Sequence, residues 1–213
     1  MKFAPLRHGT SVLAASALAV AGLLALAPAA SAAPVDITYD CQADTPLGAQ
    51  NLTLLQSVDS SAPATVAPGG TLDVVVDPAP NTVPSEAAGN TVKEVNTFTL
   101  KVPVPSNSTL DSVELTGGSG LGDTPPEWTV ADGVVTVTFP GPIAGGATFE
   151  LPTITAHLTA GASGTVDTSL YGTSYDDPGL TFTAVVSSII GDVNAPVSCF
   201  PNPNPVLTST TIG

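Results

Sequence analysis

The dominant pattern along this chain is an alternation of apolar and polar positions with a period of two, as expected of strands with one buried face. Val35, Ile37, Tyr39 and Cys41 alternate with Asp36, Thr38, Asp40 and Gln42. Leu52 and Leu54 resume the pattern after Pro46-Leu47-Gly48, which reads as a turn. Ala67-Pro68-Gly69-Gly70 predicts another turn, followed by a Val-rich strand over 71–77. Over 95–104, Phe98, Leu100, Val102 and Val104 share a face, and Pro103 and Pro105 predict that this strand leaves the ladder or lies at an edge. A strand over 110–116 runs into Gly117-Gly118-Ser119-Gly120. The clearest hairpin is 128–139, where Asp132-Gly133 separates two alternating arms. Segments 148–159 (with Pro152 as a bulge or break), 166–171, 180–187 and 195–200 bring the count to about ten short strands. No stretch carries a capped helical face, and 187–192 predicts a short turn at most. Regular strands without intervening helices predict an all-β fold, a single antiparallel β-sandwich.

The first 32 residues break this period. Lys2 and Arg7 form a positive start, 12–27 is apolar apart from Ser16 and Gly22, and Ala30-Ser31-Ala32 supplies the small residues of a cleavage site. A secretory signal peptide over 1–32 is the expectation, with cleavage after Ala32 preferred because the next bond would put Pro34 first. The alternative is an uncleaved anchor, but the apolar run is short for a membrane span, which takes about 20 residues. The expected division is therefore 1–32 leader, 33–200 sandwich, and 201–213 an extended tail in which Pro201, Pro203 and Pro205 cannot donate backbone hydrogens. The final Thr-rich residues are expected to fray, and no C-terminal sorting signal or anchor is expected.

Two cysteines sit near the ends of the exported part, Cys41 and Cys199. In an oxidising compartment they predict one disulfide, which would make the Tyr39 strand a neighbour of the Val197 segment. There is no CxxC pair, and beyond the leader His157 is the one histidine, so a Cys/His metal site is not expected.

Charge narrows the partners. Lys93 and Lys101 are the cations remaining beyond the leader, against 18 carboxylates in the chain. Nucleic acid and anionic lipid need clustered Lys and Arg, so neither is expected as a partner. Catalytic inventory is thin. His157 alternates onto a polar face with Thr153, Thr155 and Thr159, and neither Ser119 nor Ser163 fits the G-x-S-x-G pattern. The 117–122 loop lacks the following helix of a phosphate cradle and reads as a connection. Asp176 and Asp177 could ligate calcium, with solvated turn carboxylates as the plainer reading. Trp128, Tyr171 and Tyr175 could form an aromatic platform for sugar or peptide, core packing being the commoner fate of such a Trp. Asn51 and Asn107 open glycosylation acceptor triplets that matter only in a eukaryotic host.

The small-residue cleavage site, the Tyr39-x-Cys41-x-x-x-Thr45-Pro46-Leu47-Gly48 start, the Pro68-Gly69-Gly70-Thr71-Leu72 step and the closing Cys199-Phe200-Pro201 together resemble secreted immunoglobulin-like β-sandwich proteins of actinobacteria. The chain departs from the immunoglobulin Cys…Trp…Cys core, since its cysteines lie at the two ends. The resemblance carries over no catalytic residue. It implies a secreted or envelope-associated, non-catalytic binding or structural domain whose partner is a protein or glycan. The alternative is a secreted hydrolase using paired carboxylates.

Overall fold

The computed structural model describes residues 29–31, 33–189 and 191–213. The leader expected over 1–32 lies outside them, apart from the backbone of Ala29–Ser31, which pairs with the end of a later strand at Ser61–Pro63.

The fold is all-β, and twelve strands carry it. They are β1 (Val35–Thr45), β2 (Gly48–Pro63), β3 (Thr71–Pro78), β4 (Asn90–Pro103), β5 (Ser108–Thr116), β6 (Glu127–Ala131), β7 (Val134–Phe139), β8 (Thr153–Ala160), β9 (Gly164–Thr168), β10 (Leu180–Ser188), β11 (Gly191–Pro201) and β12 (Thr208–Ile212). Ten form one antiparallel path in the order β6-β7-β4-β10-β11-β1-β2-β3-β8-β5. The sheet folds back on itself into a nearly closed sandwich. Leu100 and Val102 of β4 and Val135 and Val137 of β7 thereby meet Val113 of β5 and Ile154 of β8 in one buried cluster. A larger cluster joins Ile37, Tyr39, Cys41, Leu72, Val74, Leu158 and Val197, and a third gathers Phe98, Phe139 and Ile143.

The two halves of the path meet where β11 pairs with β1, and the disulfide lies on that ladder. Cys199 and Cys41 are direct cross-strand partners, their Cα atoms 4.1 Å apart and both side chains fully buried. The bridge spans 158 positions of sequence. The expected neighbourhood of the Tyr39 strand and the Val197 segment is thus realised as Val197↔Ala43 through Pro201↔Tyr39. Pro103 ends β4 and Pro152 separates Thr148–Phe149 from β8, as a residue without a backbone donor does.

The end of the chain corrects one expectation. The final Thr-rich residues do not fray: β12 pairs antiparallel with β9 and parallel with Thr65–Val66 in a second sheet. Leu207, Thr210 and Ile212 are buried over the edge of the main core, and Thr210 Oγ1 donates to Pro63 O at 2.7 Å. Alternating threonines supply β-branched side chains that fit a half-buried strand, which composition alone did not reveal.

Candidate functional site

A concavity lies on the outward face at one end of β4, β6 and β7. It is an open cleft of about 330 Å³ lined by Thr97, Thr99, Thr124, Pro125, Glu127, Thr138 and Pro140, with Phe98 and Phe139 beneath. Register explains the lining. Thr181, Thr99, Thr138 and Glu127 are successive cross-strand partners, so they share one row, opposite in face to the buried row of Leu100 and Val137.

Two local devices open this cleft. The first is a bulge in β4. Its pairing with β10 shifts between Thr181 and Thr183, and Thr97 there has φ 54°, a rare backbone setting for a β-branched residue. Thr97 N–H donates to Pro140 O at 2.9 Å and its hydroxyl donates to Thr183 Oγ1 at 2.9 Å, which hold the bulge in place. The second is the 117–122 loop. Ser119 exchanges backbone hydrogen bonds with Glu150, and Leu121 is buried. A Cβ on Gly122 would lie 2.4 Å from Gly141 O, so only glycine lets this loop press in and carry Thr124 and Pro125 over the ladder end. The 117–122 segment is the connection the sequence predicts, between β5 and β6, and it leads directly into Thr124 and Pro125, which line the cleft. Among its lining residues Glu127 alone carries a charge.

The sequence-derived candidates lie elsewhere. Trp128 pairs with Val137 and so sits on the inward row of β6, at the sheet edge and 40% exposed. Tyr171 and Tyr175 belong to a loop on the other face. Lys101 Nζ, on the outward row, lies 5.1 Å from the Tyr171 ring centroid, and Tyr175 packs edge-on against Phe200 at 5.2 Å. The three aromatics do not converge. The Tyr171 hydroxyl hydrogen-bonds to the Asp177 carboxylate, and that bond, with the carboxylate's charge, raises its pKa. Thr173 also donates to Asp177, at 3.2 Å, and Asp176 is exposed. Among the described residues no group of three or more His, Cys, Asp or Glu side chains converges in a metal-binding arrangement.

His157 lies on the outward face of β8, as alternation predicts. Its Nδ1 is 2.7 Å from Asp73 Oδ1 on β3 and its Nε2 is 4.0 Å from Glu114 Oε2 on β5. Ser112 is its cross-strand partner. The second nitrogen thus faces a carboxylate across an open sheet, whereas a nucleophile–base pair needs a hydroxyl held there. Asn107, at φ 65°, donates its side-chain amide to Ser163 O at 2.6 Å and Thr165 O at 3.2 Å and tethers the turn before β9.

The cleft is not visible in the sequence pattern, whose strand alternation does not report which strands lie side by side. The one sequence signal for it is the pair Thr97 and Thr99 together with the Pro125-Pro126-Glu127 run, which only the ladder register brings side by side.

No family model matches the chain, and no curated protein matches it. Among solved structures it is similar to the crystal structure of a "Putative membrane anchored protein" from Corynebacterium diphtheriae, an actinobacterium. The TM-score is 0.57 at 18% identity, over 85% of this chain. This chain spans only 38% of the length of that one. At such identity the likeness is one of fold. No helix among the described residues is long and apolar enough to cross a membrane.

Proposed function

We propose that this chain is a secreted or envelope-associated, non-catalytic sandwich of the immunoglobulin-like kind that binds a neutral or basic polyhydroxylated ligand, a glycan being the best fit. The hydroxyl-lined cleft carries the reading. Four threonines present donors and acceptors, Pro125 and Pro140 offer flat C–H surfaces, and Glu127 accepts from a hydroxyl or amine. The net charge of −14 disfavours an anionic ligand. Location outside the cytoplasm is supported by the buried disulfide and is in keeping with the membrane-anchored description of the Corynebacterium diphtheriae structure. A hydrolase working through paired carboxylates needs a second acid in its cleft, so a cleft with Glu127 as its sole acid favours binding over turnover.

The test is a glycan array and titration calorimetry with residues 33–213. Retention of a glycan by the wild-type chain, weakened about tenfold or more by Thr138→Val or Glu127→Gln, is the expected result. Release of a cleaved product from any retained glycan would sink the non-catalytic reading. Binding left unchanged by both substitutions would move it away from this cleft.

A further inference from the structure

The edge strand β6 carries a second feature, on the row opposite to the one that lines the cleft. Asp132 and Gly133, at φ 51° and 74°, make the two-residue turn that joins β6 to β7. In such a hairpin the pair flanking the turn, here Ala131 and Val134, is hydrogen-bonded. Ala131, Thr129 and Glu127 therefore bond to β7, while Trp128 and Val130 turn their backbone N–H and C=O groups away from it. The path ends at β6, so among the described residues that outer side has no strand neighbour.

The same two residues supply the side chains. Trp128 pairs with Val137 and Val130 with Val135, whose side chains are 1% and 3% exposed. Trp128 and Val130 thus continue the core-facing row, yet they are 40% and 44% exposed. The row runs on past the cover that β5 gives to β7. Free backbone groups and uncovered apolar side chains coincide on one edge, as strand addition requires. The charge around it has one sign. Glu127 and Asp132 bracket β6, and both are exposed. Lys93 is engaged 2.6 Å from Asp192 and Lys101 lies against Tyr171. A second copy of this chain would bring a further −14 to the contact and is disfavoured.

We infer that the outer edge of β6 docks an extended segment of a basic partner protein, by backbone pairing at Trp128 and Val130, with the partner's apolar side chains covering those two and its lysines or arginines meeting Glu127 and Asp132.

The chain has a single tryptophan, Trp128, so its emission reports docking directly. The full secreted chain is titrated with a capped seven-residue peptide of alternating Lys and Val, its Glu–Val counterpart, and the Lys–Val peptide N-methylated on the pairing side. Expected is a saturable blue shift with the Lys–Val peptide, weakened about tenfold or more by N-methylation and absent with the Glu–Val peptide. Val130→Pro is the blocking variant. Its N–H faces outward, so the substitution removes no ladder bond while preventing strand addition. It should weaken binding about tenfold or more, and Val130→Lys, which keeps the N–H, should do so through charge and decides the matter if the proline variant misfolds. No saturable shift with the wild-type chain, equal binding of the N-methylated or acidic peptide, or unchanged binding in a folded Val130 variant would each overturn the inference.

Discussion

The sheet has two places where its halves could join, and it treats them differently. At the β11–β1 ladder they are joined by backbone pairing over Val197↔Ala43 to Pro201↔Tyr39 and by a fully buried disulfide. At the opposite side, β6 and β5 end the path without pairing to each other. There the interior keeps an apolar void of about 20 Å³ lined by Val102, Val135, Ile154 and Thr168 among others. The buried hydroxyls of Thr168 and of its cross-strand partner Thr208 have no hydrogen-bond partner among the described residues. One side is covalently fixed, whereas at the other the strands near the two ends of the path meet through packed side chains. A sandwich needs only one firm seam to be stable, which leaves the second free to present edges.

The largest effect is expected at the firm seam. Cys41→Ala with Cys199→Ala should lower the unfolding free energy by about 2–5 kcal/mol in a denaturant titration, since the loop released is long. A loss below about 1 kcal/mol would mean that β11 and β1 hold without the bridge. Next comes the open side. Val137→Ala should cost about 2–3 kcal/mol, because Val137 is 1% exposed, while Val130→Ala on the same row should stay within about 0.5 kcal/mol. Equal costs would show that Val130 is as well packed as the core.

Smaller still is the alkaline response of Tyr39, whose pKa burial drives upward. The sign follows from linkage. Above pH 10 the unfolded tyrosine loses its proton while the folded one keeps it, so stability is full below that pH and falls as pH rises. The slope approaches about 1.4 kcal/mol per pH unit and should flatten in Tyr39→Phe, measured as unfolding free energy at stepped alkaline pH. The smallest effect is expected at the void. Thr168→Val keeps the shape and removes an unpaired buried hydroxyl, so it should be neutral or stabilising by up to about 1 kcal/mol. A clear destabilisation would show that this hydroxyl is bonded in solution, with a water in the adjacent void as the simplest partner.

Much of the fold was legible because period-two alternation is a local signal. Ile37, Tyr39 and Cys41 are inward as their spacing predicts, as are Phe98, Leu100 and Val102, and Asp132-Gly133 does make the hairpin turn. The disulfide was legible because the cysteines are only two. The rest depended on register. Thr97 looks like any strand threonine until the mismatch between β4 and β10 puts it in a bulge. Threonines at 97, 99, 124 and 138 become one cleft only after the strands are ordered. The Thr-rich end was misread because polar β-branched residues mark both exposed coil and half-buried strand, and only a partner such as β9 decides between them.

The disulfide ladder also sets an order of events. β1 finds its hairpin partner β2 as soon as residues 48–63 have emerged, but its other neighbour, β11, arrives only after nearly all the intervening sequence has been made. The centre of the finished sheet is therefore the last part of it to close. Until then β1 has one naked side, and Cys41 is a thiol without its mate. A chain delivered end first must keep that strand from pairing elsewhere for most of its synthesis, so the step most exposed to misassembly lies at the middle of the sheet and not at its rim.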